Sequence, residues 1–378
     1  MKVRALGKII KNLGIRTITG IPDSTLQEFC VFLDSAGKEM FDNHIVPANE
    51  GAAVGIAIGE YLSTGVPACV YMQNSGLGNA VNPVTSLAND KVYGIPMLFL
   101  IGWRGEPGRQ DEPQHKFMGE ITSELVELLN ISYDIIEAET SEEDLENIRQ
   151  KIAVAFSEKK QYALVIKRGT FESDYKTTYQ NQNVLVREDA IKTITDWLQP
   201  EDIVISTTGK ISRELYENMD DLKGSHEQAF LCVGGMGHAN MIAYQMAKRK
   251  PDKRVVCLDG DGALLMHMGS LAIIGCHPVD NLVHICLDNE AHESVGGMYT
   301  GAGGTKYDEI AKICGYQNVF CVKTDEELKN VLMRTDVSNG LCFIIIKVAI
   351  SSRADLIRPK ESAEENKIRF MEYHGEKM

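Results

Sequence analysis

Short apolar runs alternate along this chain with stretches in which apolar residues recur every three or four positions, the rhythm of buried strands separated by helices. The runs YALVIK (162–167), DIVIST (202–207), RVVCLDG (254–260), NLVHICLDN (281–289) and CFIIIKV (342–348) are near-continuously apolar and do not alternate. That pattern predicts strands covered on both faces, and hence parallel sheets flanked by helices. The first twenty residues are interrupted by Lys8, Lys11 and Arg16, so they predict an amphipathic helix and not a cleavable leader. Between Thr170 and Glu188 the sequence turns polar and aperiodic. The expected division is a first domain at 1–171, a linker at 172–188, and a second domain with a C-terminal tail at 189–378.

Sliding the chain against itself by 186 residues lays GAAVGIAIGEYL (51–62) on GHANMIAYQMAK (237–248), PACVYMQNSG (67–76) on KRVVCLDGDG (253–262), and PMLFLIG (96–102) on LVHICLD (282–288). Few residues are identical, but the order of helix, strand, Gly turn, helix and strand persists. The expected fold is therefore α/β, with two doubly wound parallel-sheet domains of similar topology. The chemistry-bearing positions differ between the halves: Glu50 falls opposite Met236, and Ser75 opposite Asp261.

At 378 residues the chain is too long for one ordinary core. Its net charge of −14 argues against nucleic-acid partners and against an anionic membrane surface. No apolar stretch approaches the roughly 20 residues that span a bilayer. The nine cysteines are odd in number, never spaced C-x-x-C, and mostly embedded in apolar runs, which suits buried thiols in a reducing cytoplasm.

The strongest chemical signal is LDGDGALLMHMG followed by NLVHICLDNEAHESVGG. A strand ending at Asp259, a turn through Gly260, Asp261 and Gly262, and a helix from about Ala263 would make a diphosphate seat of free backbone N–H groups. Asp261 offers a carboxylate to a hard cation, and Asn289, 28 residues later at the end of the next strand, offers an amide oxygen. A calcium loop is excluded because Ala263, Leu264 and Leu265 stand where ligands would be needed. The absence of G-x-G-x-x-G after a strand disfavours a nicotinamide enzyme.

GDG followed after just under thirty residues by Asn resembles the signature of thiamine diphosphate enzymes. The resemblance implies Mg2+ held by Asp261, Asn289 and the carbonyl of Ala291, in a PP-type second domain. It makes Met236 of GGMGHA the wedge that bends the cofactor and gives the Gly234 carbonyl to the aminopyrimidine. Thr208, Gly209, His238, Gly260, Gly262 and Ala263 complete the cofactor contacts. From a Pyr-type first domain it implies Glu50, in VPANEGAAVGIAIGEY, as the carboxyl that holds the pyrimidine ring nitrogen. The cofactor would then serve as electron sink while carbon dioxide leaves a 2-oxo acid.

The chain has no room for the third domain of the larger members. It is similar along nearly its whole length to the phosphonopyruvate decarboxylases, through GIPDSTLQEF (20–29), YMQNSGLGNAVNP (71–83), IGWRGEPGRQDEPQHKFMG (101–119) and STTGKISRELYE (206–217). Such a substrate, a small anionic 2-oxo acid, needs cations, and the loop Gly102–Gly119 offers Arg104, Arg109 and Lys116. His115, His292 and Asp23 are the candidates for proton delivery. Asp288 and Glu290 depart from the family's pattern and add negative charge beside the seat. The rival readings are a sulfopyruvate decarboxylase and a non-catalytic cofactor-binding subunit, the latter disfavoured by retention of Glu50, Asp261 and Asn289 together. The resemblance also implies a homodimer or higher homo-oligomer, in which Glu50 of one copy meets Asp261 of another.

Overall fold

The apolar runs become strands within one residue of their expected ends. The computed structural model describes residues 1–334, 337 and 339–375. Six strands form the first sheet: β1 (Thr17–Gly20), β2 (Asn43–Ile45), β3 (Ala68–Gln73), β4 (Met97–Gly102), β5 (Ser132–Ile136) and β6 (Tyr162–Ile166). Their order is β2-β1-β3-β4-β6-β5, and every pairing is parallel. The second sheet holds β7 (Ile203–Ser206), β8 (Ala229–Leu231), β9 (Val255–Gly260), β10 (Leu282–Asp288), β11 (Asn318–Val322) and β12 (Cys342–Lys347). Its order is β11-β12-β10-β9-β7-β8, again all parallel. Read from its other edge, this is the order of the first sheet, strand for strand. The 186-residue repeat is thus a repeat of topology.

The reason the strands are apolar throughout is visible in β4: Leu98 and Leu100 enter one buried cluster, while Met97, Phe99 and Ile101 enter the cluster on the opposite face. In β10, Val283, Ile285 and Leu287 face one core and Leu282 and Cys286 the other. Both faces of both sheets are therefore helix-covered.

Two units result. One comprises Met1–Tyr179 with His292–Met298, the other Gln180–Ala291 with Tyr299–Met378. The division falls within the polar 172–188 stretch, whose last residues already belong to the helix Arg187–Trp197. The opening helix, Val3–Asn12, buries Val3, Leu6, Gly7 and Ile10 and keeps its lysines outward. Among the described residues, no helix is long and apolar enough to cross a membrane.

One local expectation needs correcting. The helix after β9 starts at Asp261, not Ala263, and it stops at Met266 before a second helix runs from Gly269 to Cys276. Gly260 stays extended and closes the strand, and Asp261 takes the first helical position, where a carboxylate is favoured by the helix dipole. His267 leaves helical geometry at φ −134°, ψ 40° and breaks the run.

Candidate active site

Every singled-out segment but one follows the carboxyl end of a strand. Asp23 follows β1, Glu50 follows β2 and Arg104 follows β4. In the second sheet Thr208 follows β7, Met236 follows β8, Asp261 follows β9 and Asn289 follows β10. His292 alone lies further out. Ligands of open parallel sheets bind at these ends, close to where the strand order reverses.

In the first unit, Glu50 opens the helix Glu50–Thr64, whose N-cap Asn49 accepts a hydrogen bond from the Ala52 N–H at 2.9 Å. Its carboxyl is 5% exposed and accepts from Asn79 Nδ2 at 2.7 Å. Burial raises its pKa above the ordinary carboxylate value. Gly76 makes the space, because a Cβ there would lie 2.5 Å from Glu50 Oε1. Asp23 is likewise buried, at 2% exposure, in a turn where its Oδ2 accepts from the N–H groups of Thr25 (2.8 Å) and Leu26 (3.2 Å). Its Oδ1 has no hydrogen-bond partner, and burial pushes its pKa up to about 6. Gly102 accommodates this carboxyl, since a Cβ at that position would sit 2.2 Å from Oδ2.

Arg104 departs from expectation. Its guanidinium is committed inside the protein: Nε and Nη2 donate to the two oxygens of Asp111 at 2.8 and 2.5 Å, and Nη1 donates to Ser24 at 2.8 Å. The fork expected to face a substrate is filled, and its charge falls on Asp23 and depresses the Asp111 carboxyl below the usual range. Asn74 pins the loop, donating to the Arg104 carbonyl and to Thr122 Oγ1, each at 2.8 Å, and accepting the Arg104 N–H. Arg109 pairs with Glu106 and donates to the Arg168 carbonyl. With Trp103, Glu106, Asp111 and Arg168 it lines a cavity of about 470 Å³. Lys116 is exposed. His115 is half-buried in the first turn of the helix Pro113–Leu128, its pKa lowered by burial and then by the charge of Arg104. His292 has a partnerless Nε2 and a pKa pushed down to about 4 by burial.

In the second unit, Asp261 is buried, accepts a hydrogen bond from Thr300 Oγ1 at 3.0 Å, and offers its carbonyl to Tyr307 at 3.2 Å. Burial, and then the negative charge of Asp288, hold its carboxyl well above the usual range. Asn289 is buried, and its Oδ1 accepts from the Ala291 N–H at 3.1 Å, which shapes the turn. Its carbonyl accepts from Asn181. A carboxylate, an amide oxygen and a carbonyl form an all-oxygen donor set, the kind that a hard dication takes. The residues fit Mg2+. Thr208 donates to the Val233 carbonyl at 2.8 Å, Gly209 takes φ +96° at the start of the helix Lys210–Lys223, and Gly234 lies on the loop after β8. Met236, on the same loop, is 39% exposed and is no core methionine. His238 occupies the N-cap position of the helix Ala239–Arg249 without a side-chain cap bond and stacks on His267. Gly260, Gly262 and Ala263 lie on and just after β9.

Sequence reasoning missed Asn79, Asn74, Thr300 and Lys347, as well as the pocket-making glycines Gly76 and Gly102. It also missed Asp259, whose Oδ1 accepts the Gly260 N–H while Oδ2 meets His284 and Asn240.

Residues 3–127 match the family description "Thiamine pyrophosphate enzyme, N-terminal TPP binding domain", and residues 208–346 match its C-terminal TPP binding domain. A phosphonopyruvate decarboxylase of Streptomyces viridochromogenes is 32% identical over 96% of this chain and 92% of its own length. Another, from Streptomyces hygroscopicus, is 32% identical over 97% and 92%. A sulfopyruvate decarboxylase of Methanosarcina acetivorans is 27% identical over 89% and 88%.

Proposed function

This chain belongs to the thiamine pyrophosphate enzymes, and from that premise we propose that it converts 3-phosphonopyruvate to phosphonoacetaldehyde and carbon dioxide, with Mg2+ beside the cofactor, in phosphonate biosynthesis. It is a thiamine diphosphate-dependent decarboxylase of a small 2-oxo acid. The observation that carries the choice of substrate is similarity over the full length: 32% identity across 92% of two phosphonopyruvate decarboxylases, against 27% for the fused sulfopyruvate enzyme.

Thiamine diphosphate, when bound, supplies the sink for the electron pair released as the carboxylate leaves. The chain's own residues do the rest. Asp261, Asn289 and the Ala291 carbonyl would hold the metal, and the backbone of Gly260, Gly262 and Ala263 would hold the diphosphate. Thr208, Gly209 and His238 would border that seat, the exposed Met236 would support the cofactor from its loop, and the Gly234 carbonyl would accept from its aminopyrimidine amine. Glu50, raised in pKa and fixed by Asn79, presents its carboxyl to the pyrimidine ring nitrogen.

Among the three candidates for proton delivery the electrostatics favour Asp23. With a pKa of about 6 it carries a proton for part of the time near neutrality, whereas burial keeps His292, at about 4, neutral and without a proton to give. His115 is shifted the same way. With Arg104 engaged by Asp111, the phosphonate-binding charges fall to Arg109 and Lys116, and Arg104 positions the turn that carries Ser24 and Asp23. The working form is a cytoplasmic homodimer or higher homo-oligomer that joins Glu50 of one copy to Asp261 of another.

A coupled assay decides the substrate: the protein with thiamine diphosphate, Mg2+ and an aldehyde-reducing enzyme, given phosphonopyruvate and sulfopyruvate in parallel. Higher kcat/KM on phosphonopyruvate is expected. Preference for sulfopyruvate overturns the choice, and turnover of neither overturns the assignment.

A further inference from the structure

Two further carboxylates stand beside the segment that carries Asn289. Asp288 ends β10 fully buried, and Glu290 follows two residues later. Both flank Asn289, and because Leu287 pairs with Gly260 across the sheet, the next residues, Asp288 and Asp261, emerge from neighbouring strand ends. The compensating cation comes from the neighbouring strand. Lys347 is the β12 residue in register with Asp288, so their side chains leave the sheet on the same face. Its Nζ lies 2.5 Å from Asp288 Oδ2 and 3.4 Å from Glu290 Oε1, largely shielded from solvent. Glu290 reaches this ammonium from a left-handed backbone, φ +59°, a conformation unfavourable for a residue with a Cβ. The turn bears that strain while its side chain points into the ion cluster.

We propose that Lys347 is a positioning residue that sets the charge of the metal and diphosphate seat. By neutralising Asp288 it leaves Asp261 as the carboxylate offered to the metal, and it lowers the repulsion that the diphosphate meets. The proposal rests on the functional reading above. Among Asp261, Asp288, Glu290 and Lys347 the formal charge is −2 with the lysine and −3 without it, counting three carboxylates and one ammonium. Removing the ammonium therefore has opposite consequences for the two ligands: a divalent cation is attracted more strongly, and a polyanion is repelled more strongly. A lysine that only stabilised the fold would on removal weaken both.

The test is titration calorimetry on the full chain, with Mn2+ alone as one probe and thiamine diphosphate at saturating Mg2+ as the other, for wild type, Lys347→Met and Lys347→Met with Asp288→Asn. Met keeps the length of the apolar stem and drops the charge. One unit charge acting across several ångströms of partly screened protein corresponds to about a tenfold change in affinity. Lys347→Met is expected to bind Mn2+ about tenfold more tightly and thiamine diphosphate about tenfold more weakly, and the double variant to return both to near the wild-type values. Unchanged affinities in Lys347→Met, or a joint weakening that Asp288→Asn does not restore, would overturn the proposal. If the unpaired Asp288 keeps the single variant from folding, the double variant decides: near-wild-type affinities support the charge-setting role, and loss of either refutes it. A wild-type protein that binds neither probe overturns the functional reading itself, and this proposal with it.

Discussion

Replacing Asp23 with Asn removes a buried charge while keeping the shape of the side chain and an oxygen to accept the N–H groups of Thr25 and Leu26. The carboxyl is 2% exposed and its pKa stands at about 6, against 3.8 for an ordinary Asp. A shift of about two units corresponds to roughly 3 kcal/mol between the two protonation states. The sign follows from the direction of the shift. Below the ordinary value Asp23 is protonated in both folded and unfolded chains and costs nothing. As pH rises from the ordinary value towards the folded one the unfolded chain ionises freely while the folded one resists, and stability is lost until the deficit levels off above about pH 6 to 7. Asn has no such dependence. In urea unfolding followed from pH 4.5 to 8, Asp23→Asn should gain on wild type with rising pH, approaching about 3 kcal/mol at the alkaline end. In a thermal scan of a unit of this size that is a rise of roughly 6 to 12 °C. The same variant should lose most of its turnover, having lost the proton donor. A stability difference that is flat with pH would refute the assignment of a buried, strained carboxylate at Asp23, whatever happens to activity.

Glu50→Gln should abolish turnover while leaving thiamine diphosphate binding within about tenfold by calorimetry, since the amide keeps the contact with Asn79 but not the acid. Gly76→Ala should mimic it in activity assays, because its Cβ would stand 2.5 Å from Glu50 Oε1 and drive the carboxyl from its place. Asp261→Ala should remove measurable Mg2+-dependent cofactor binding, and unchanged affinity would sink the metal role. Arg104→Ala should cost on the order of 3 kcal/mol in chemical unfolding by stranding Asp111, with much of it recovered by adding Asp111→Ala, whereas Arg109→Ala or Lys116→Ala should leave unfolding unchanged and raise KM for phosphonopyruvate about tenfold.

What the sequence made legible is what is local. The ends of the five strands read from unbroken apolar runs held to a residue because burial on both faces forces such runs, as in β4 and β10, which send alternate side chains into separate cores. The repeat was readable because the period and order of elements survive when identities do not. Partners across the sheet were not readable. Asn79 reaches Glu50 across 29 positions, Thr300 reaches Asp261 across 39, and Lys347 reaches Asp288 across 59. The last pair exists only because β10 lies beside β12, a fact of strand order that no periodicity encodes. The partner of Arg104 was missed for the opposite reason. Asp111 is only seven residues away, but the turn that brings them together depends on the backbone of Gly105, at φ +70°, whose N–H also donates to Asp111.

The two halves show how one topology carries two chemistries. Glu50 and Met236 occupy equivalent positions in the repeat, each after the second strand of its sheet. In the first half the helix begins at Glu50 itself, so the side chain is drawn into the first turn and buried. In the second half Gly235 at φ +65° and Gly237 at φ +82° hold the chain out of helical geometry, and the helix begins only at Ala239. Three residues of delay turn a buried acid into a projecting apolar side chain. Gly237 cannot be replaced cheaply, because a Cβ there would lie 2.7 Å from the Ala263 carbonyl on the short helix that follows β9. The glycines of GGMGHA therefore serve two ends at once: they free Met236 from the helix, and they let its loop lie against the segment that carries Asp261. Residue type at the strand ends, and not the fold, separates the halves in function.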